Sequence, residues 1–346
     1  MNNTFSKKSA EELAEIAMKE TPNLKLLSYL GHLAPSVHNT QPWLIEINQP
    51  TNTLDVKLDP SKKLEHSDPT NRQTWISLGA FAQNIVYVAE SLGFKTSIEQ
   101  YSEGVILRFK LSEKYKFSKN NIVTAIDTIL ERQTNRRVFN GANINQEMYK
   151  KLQQSVKKGF SPKTILVKDR STIDKLSLLS EKAVKLAFSS KDLRHELNEY
   201  INPILRPKDI GIPALALAPS LLEALWVKSS VSLGIFLNIN ARKEFKKIKS
   251  ASALGLIFTK GDTKKDWLQT GLEYEKLCLE LTRLGLAHST NAVLVEAPDY
   301  HKEVGEIIGS KMRLQILVRI GYAGRIEGRS GRVPLGSILH VTNNPI

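Results

Sequence analysis

The chain has 346 residues, 41% of them hydrophobic and 24% charged, with a net charge of +14 at neutral pH. That length can bury a sizeable core without a disulfide or a metal, and the single cysteine, Cys278, excludes an intramolecular disulfide and a cysteine-built metal cluster. No run of about 18 apolar residues is present, so no membrane-spanning helix is expected. The basic excess comes without zinc-finger spacing, an RNP-like run or heptads, so nucleic acid is not an expected partner.

In chain order, residues 1–20 read as a polar amphipathic helix with no apolar run of signal-peptide length, and the expected location is cytoplasmic. The stretch "LAPSVHNTQPW", residues 33–43, then joins a helix to a strand. Pro35 and Pro42 fix backbone angles at its ends. Ser36, Asn39 and Gln41 offer donors and acceptors within a few residues. Local chemistry leaves two readings open: a turn that satisfies only itself, or a loop that grips a polar ring system. His38 reads as a loop-filling, solvent-facing residue.

Strands are expected at 43–48, 54–59, 105–111, 163–168, 253–259 and 313–322, with long helices between them, which suits a sheet covered by helices. "WISLGAFAQNIVYVAESLGF" (75–94) is echoed by "WLQTGLEYEKLCLELTRLGL" (267–286) without a gap: Trp75 meets Trp267, Gly79 meets Gly271, Gly93 meets Gly285. Both have helical period and end in Leu-Gly, a helix stop signal. A weaker echo relates the helix, loop and strand around residues 23–47 to those at 144–168. Two fused copies of one unit, packed as a pseudo-symmetric dimer within one chain, are therefore expected. The division falls at 1–120 and 121–346. The second half carries an insertion near 171–250, largely helical and lid-like, which holds the most apolar stretch of the chain, residues 210–227. Cys278 falls on the apolar face of the repeated helix and reads as core.

Two arginine-rich segments follow. "ERQTNRRVF" (131–139) sets Arg132, Arg136 and Arg137 around Thr134, and guanidinium forks match phosphate. "GYAGRIEGRSGRVPLGSIL" (321–339) alternates glycine with Arg325, Arg329 and Arg332, a flexible backbone suited to close approach of an anion. Each segment alone also fits an exposed basic surface. Other catalytic signatures are absent: there is no G-x-G-x-x-G after a strand and no Walker loop. "HELNE" (195–199) lacks the second histidine that a zinc site on a helix face requires, so no metal is expected.

Taken in order, "APSVHNTQPW", "RQTNRR" and "IGYAGRIEGRSGRVPL" resemble the FMN-dependent nitroreductase family, and with the duplication they resemble its Acg-like branch, in which the two-subunit enzyme is fused into one chain. The resemblance implies an α+β fold, a three-layer α/β/α sandwich with a mixed sheet, internally duplicated. It implies FMN as cofactor, NADH or NADPH as electron donor, and a small-molecule acceptor of the nitroaromatic or quinone type. The flavin carries such chemistry, so no catalytic residue is nominated.

Carried onto this sequence, the resemblance makes Arg132 and Arg332 phosphate ligands and Thr134 a ribityl contact. Pro35, Ser36, Asn39 and Gln41 become contacts from the opposite half, Arg136 and Arg329 further cofactor-binding residues, and Ser289 and Thr290 the residues near flavin N5. Arg72 is the first arginine of the chain, and residues 156–165 lack the Asn and Gln-Pro-Trp of the opening loop. One FMN per chain is thus expected, the mirror site being degenerate. The second reading is an FMN-sequestering protein whose insertion closes over the flavin.

Overall fold

The computed structural model describes residues 5–20, 22–100, 107–113, 116–156, 161–205, 208–218, 220–233, 237–297, 300–326 and 329–342. Val105 and Ile106 of one expected strand, residues 157–160 and Glu327–Gly328 of the glycine-arginine segment lie outside these. The fold is α+β, with a mixed sheet as expected.

The first half contributes α1 (Ala10–Lys19), α2 (Leu24–His32), β1 (Trp43–Asn48), β2 (Thr53–Leu58), α3 (Arg72–Ser91), β3 (Phe94–Gln100) and β4 (Leu107–Glu113). Helices α4 (Lys119–Glu131) and α5 (Gln146–Val156) lead to β5 (Lys163–Val167). The insertion then supplies α6 (Arg170–Ala187), α7 (Lys191–Glu199), β6 (Ile201–Asn202), β7 (Ile212–Pro213), α8 (Ala214–Leu217), α9 (Leu221–Leu233) and α10 (Leu237–Lys249). The chain returns through β8 (Ala253–Thr259), α11 (Lys264–Arg283), β9 (Ala287–Thr290), α12 (Val293–Glu296), α13 (Tyr300–Ile308), β10 (Arg313–Gly321) and β11 (Leu339–Thr342).

The two sheets have one plan. The first runs β11-β1-β2-β4-β3 and the second β5-β8-β10-β9. Without β11 the orders correspond strand for strand, and every pairing so matched is antiparallel. A hairpin joins β1 to β2, whereas the helical insertion separates β5 from β8. The C-terminal strand β11 crosses back to lie parallel to β1, which makes the first sheet mixed and ties the chain end to the first half.

The repeated helices α3 and α11 pack on each other at the middle of the molecule. A Cβ placed on Gly79 would lie 2.1 Å from Leu268 O and 2.7 Å from Gly271 Cα, and one on Gly271 would lie 2.0 Å from Ile76 O and 2.7 Å from Gly79 Cα. Glycine at both positions lets the backbones touch. One core runs through this crossing from Trp43, Ile45, Leu54 and Val56 of the first sheet to Ala253, Ile257, Ile316 and Val318 of the second.

The layers differ between halves. Strand alternation sends Leu254, Leu256, Phe258, Leu314 and Leu317 to the far face of the second sheet, where α6, α10, α12 and α13 cover them. That half is a three-layer α/β/α sandwich. The first sheet's far face is polar, with Asp55 paired bidentately to Arg108 at 2.7 and 2.6 Å and Glu46 to Lys57 at 2.6 Å. Among the described residues no single helix is long and apolar enough to cross a membrane.

Candidate functional site

Between α2 and β1 the backbone is forced into the left-handed region three times without glycine: φ is +46° at His38, +57° at Asn39 and +54° at Gln41. Such conformations cost energy and persist only where surroundings hold them. Several bonds do so. Ser36 Oγ accepts from Gln41 N at 3.0 Å, and Val37 N donates to Ser77 Oγ of α3 at 3.1 Å. Beneath the loop, Trp43 Nε1 donates to His32 Nδ1 at 2.8 Å, and His32 Nε2 lies 3.0 Å from Val333 O. Both ring nitrogens are thus used by a neutral imidazole, and burial, with Arg332 nearby, lowers the His32 pKa to about 3.

The arginine segment starts where α4 ends. Asn135 N donates to His288 O at 2.8 Å and Asn135 Nδ2 to Gly324 O at 2.9 Å, which fixes Thr134 beside β9. Arg132 is buried, its Nε 3.1 Å from Glu275 Oε1 of α11, itself fully buried. Burial pushes the Glu275 carboxyl up, and Arg132 opposes the shift. Arg132 Nη1 reaches Thr134 Oγ1 at 3.5 Å. Arg136 differs from its neighbours: it makes no hydrogen bond or ion pair to any described residue. Its enclosure lowers its pKa from the usual arginine value.

In the C-terminal segment Arg329 donates to Leu130 O and lies 3.7 Å from Glu131, whereas Arg332 spends all of its donors on the protein. Its Nε donates to His32 O at 3.0 Å, and its Nη2 to Leu33 O and Ala34 O at 2.8 and 3.1 Å, capping α2. Its Nη1 donates to Asn39 Oδ1 and Gly331 O, both at 2.9 Å.

These segments border three neighbouring pockets, here called lobes, that share lining residues. A polar lobe of about 200 Å³ is lined by Pro35, Ser36, Asn39, Arg132, Thr134, Arg136, Arg329 and Arg332. A middle lobe of about 250 Å³ shares Pro35, Ser36, Thr134 and Arg136 and adds Gln73 and Ser77 of α3, Tyr274 of α11, and Thr290 with Asn291. An outer lobe of about 310 Å³ shares Arg136, His38, Ile212 and Thr290, and opens among the insertion helices against Val184, Phe188, Tyr200 and Val231.

Ten of the eleven residues singled out from the sequence line these three neighbouring lobes, with Ser289 reaching only the outer one. Gln41 lines none of the lobes and faces the insertion. His38 is enclosed rather than solvent-facing, stacked on Tyr200 at 5.8 Å between ring centroids. Sequence reasoning missed Gln73, Ser77, Tyr274, Asn291 and the roof residues Tyr200, Ile212 and Ala216. Only the repeat, which marks α3 and α11 as special, pointed towards the first three.

No protein-family profile matches the chain. The FMN-dependent nitroreductase NfnB from Mycobacterium smegmatis, solved in complex with NADPH, is 18% identical, with a TM-score of 0.38 over 59% of this chain and 93% of that one. NfnB from a sphigopyxis strain, described as FMN- and NADPH-dependent, is 15% identical with a TM-score of 0.40 over 61% and 96%. Superpositions this loose bear no weight. The sequence comparison is different in kind, because it runs end to end. An uncharacterized protein of Mycobacterium tuberculosis is 24% identical over 333 residues, 93% of this chain and 94% of that protein. A second protein of that organism, provisionally named NAD(P)H nitroreductase acg, is 24% identical over 332 residues, 94% of this chain and 97% of its own length.

Over nearly its whole length the chain is thus similar, at 24% identity, to a protein named as a nitroreductase. The pockets have α3 and the opening loop on one side and Arg132, Thr134, Arg136 and α11 on the other.

Proposed function

We propose that the chain is an FMN-dependent NAD(P)H oxidoreductase that reduces a nitroaromatic- or quinone-type acceptor, with one flavin per chain. The observation that carries this reading is Arg136. A half-buried guanidinium that borders all three pockets, with no hydrogen-bond or ion-pair partner among the described residues, has its donors free for an anionic or acceptor-rich ligand.

The donor set fits FMN. Arg132, Thr134 and Arg329 make the polar lobe suitable for a phosphate and ribityl chain. The middle lobe combines Ile76, Ala80, Ile316 and Leu317 with Ser36, Gln73 and Asn291, apolar surface for a flat ring and polar groups for its edge. Pro35 and Thr290 close its sides. Bound FMN would supply the hydride chemistry between nicotinamide and acceptor. The protein's residues would bind and orient it, and Tyr200, Ile212 and Ala216 would limit water at its side. The outer lobe, with Phe188 and Tyr200 among its walls, offers an acceptor a place of about 310 Å³. That open volume favours turnover over sequestration.

The test is the visible spectrum of the purified protein under anaerobic conditions, before and after NADPH and then NADH. Flavin bands that bleach support the oxidoreductase. Bands that persist with both donors favour sequestration under the roof. No flavin, and none taken up from added FMN, overturns the proposal.

A further inference from the structure

Asn39 sits in the loop that the family resemblance assigns to the cofactor, yet its side chain is spent on the chain itself. Asn39 Nδ2 is 3.0 Å from Asp209 O, 3.2 Å from Gly211 O and 3.0 Å from Gly331 O, and Asn39 Oδ1 accepts from Arg332. Two N–H groups shared among three carbonyls leave no donor over. Gln41 repeats the pattern: its Nε2 donates to Asp209 O at 2.8 Å and to Asn39 O at 3.2 Å, and its Oε1 accepts from Val333 N at 2.9 Å.

The far side of this knot is equally built. Asn202 Nδ2 donates to Lys208 O and Ile210 O at 3.1 and 2.8 Å, and Ile212 N donates to Tyr200 O at 2.7 Å, which ties residues 208–212 to Tyr200 and Asn202. Gly211 has φ of +99°, and a Cβ there would lie 2.8 Å from both Asn202 Oδ1 and Tyr200 O. A Cβ on Gly331 would lie 2.7 Å from Asp209 Cα, so the C-terminal segment presses directly on the turn. The residues that continue from this turn roof the cavity: Ile212 lines the middle and outer lobes and Ala216 the polar lobe, while Tyr200 stacks on His38.

We infer that Asn39 and Gln41 are positioning residues that fasten the 209–211 turn of the insertion, and with it the roof of the cavity, to the first half of the chain, rather than ligands of the bound cofactor. Arg332 belongs to the same knot. The backbone is left-handed at His38, Asn39 and Gln41, and from it both amides reach the turn at Asp209 O, although Asn39 also borders the polar lobe. The inference rests on the FMN reading only for its cofactor measurement, and the roof measurement stands without it.

The experiment is hydrogen exchange of the full chain, without and with FMN, together with FMN titration of the stripped protein, for wild type, Asn39→Ala, Asn39→Asp and Gly211→Ala. Asn39→Asp removes the donors but keeps an acceptor for Arg332. Gly211→Ala attacks the turn from the other side without touching the loop. In all three variants, amides of residues 209–217 are expected to exchange at least about tenfold faster in the FMN-free protein. FMN affinity in the Asn39 variants is expected to stay within about threefold of Gly211→Ala, because any loss runs through the roof.

Unchanged exchange over 209–217 in Asn39→Asp and Gly211→Ala overturns the inference. So does a loss of FMN affinity in the Asn39 variants that Gly211→Ala does not share, since Asn39 would then be a ligand. If Asn39→Ala does not fold, the other two variants carry the test. If wild type binds no FMN, the cofactor proposal fails and the exchange data still decide the clamp.

Discussion

Gly79 and Gly271, equivalent positions of the internal repeat, lie against each other where α3 crosses α11, and each occupies the space a Cβ on the other would need. The crossing is near-symmetric in detail, for the atoms that would be struck are Leu268 O and Ile76 O, themselves equivalent positions. Gly79→Ala and Gly271→Ala should therefore each destabilise the chain, and by similar amounts, at least about 1–3 kcal/mol as for an overpacked core. Denaturant unfolding of the two single variants checks this. A tolerated alanine at either position would mean that the helices can move apart freely. Because the cavity is walled by Gln73 and Ser77 of α3 and Tyr274 of α11, a shift at the crossing should also weaken ligand binding.

Much of this architecture was legible in the sequence, for physical reasons that can be named. The gapless echo preserved Gly79 and Gly271 because α3 and α11 touch there, and the two Leu-Gly pairs because Gly93 and Gly285 end their helices at positive φ. Strands β1 and β8 were found at their bounds since apolar runs between breakers define them. Strand β9, with His288 and Ser289 buried in four residues, has no such pattern. The cavity residues of the loop were visible as a cluster of polar side chains between prolines. Their directions were not, because the left-handed angles at His38, Asn39 and Gln41 follow from what the turn at 209–211 and Arg332 demand. Arg332 looked like an anion ligand by type, but a guanidinium also suits a helix C-terminus, and the carbonyls of residues 32–34 take it. The roof is invisible in sequence because its partners are about 170 residues away.

His32 gives the stability an acid limit. It is neutral in the fold, with Nδ1 accepting from Trp43 and Nε2 facing Val333 O, and its pKa falls from the ordinary histidine value to about 3. The unfolded chain binds this proton near pH 6.5 and the folded chain does not, so stability falls as pH drops from about 6.5 towards about 3. The slope is about 1.4 kcal/mol per pH unit for the one group. His38 and His288, lowered by burial to about 4 and about 3, add in the same direction. Urea unfolding at several pH values between 4 and 6 should show His32→Phe with a slope smaller by about one proton. An unchanged slope would show that His32 charges within the fold.

Glu196 fastens α7 of the insertion to the first half at a second place. Its carboxylate accepts from Glu65 N at 2.7 Å, His66 N at 2.9 Å and Ser67 N at 2.8 Å, and from the Ser67 hydroxyl. These bonds hold its pKa below the usual value against the opposing effect of burial. Glu196→Ala leaves three backbone N–H groups without an acceptor and should cost about 1.5–3 kcal/mol. Protease cleavage within the insertion should accelerate. Glu196→Gln should be intermediate, since the amide oxygen still accepts. Because the carboxylate is favoured in the fold, its contribution is present above the ordinary glutamate pKa and is lost as pH falls through the lowered one.

Arg136 and Arg332 separate binding from architecture. Arg136 has no partner among the described residues and faces all three lobes, so Arg136→Ala removes a cation that the fold does not use. Its Tm without ligand should be unchanged or slightly higher, because a partly desolvated charge with no partner among the described residues is lost. FMN affinity should fall by about 1.5–3 kcal/mol, roughly 10- to 150-fold. Arg136→Lys keeps the charge without the fork and should recover part of it. Arg332→Ala should behave in the opposite sense: the carbonyls of His32, Leu33 and Ala34 lose their donor, Asn39 loses its partner, and the ligand-free protein is destabilised. Thermal unfolding beside FMN titration distinguishes the two. A stable Arg332→Ala with weakened FMN binding would return that residue to the phosphate site. An Arg136→Ala that binds FMN as wild type does would remove the observation on which the proposed function rests.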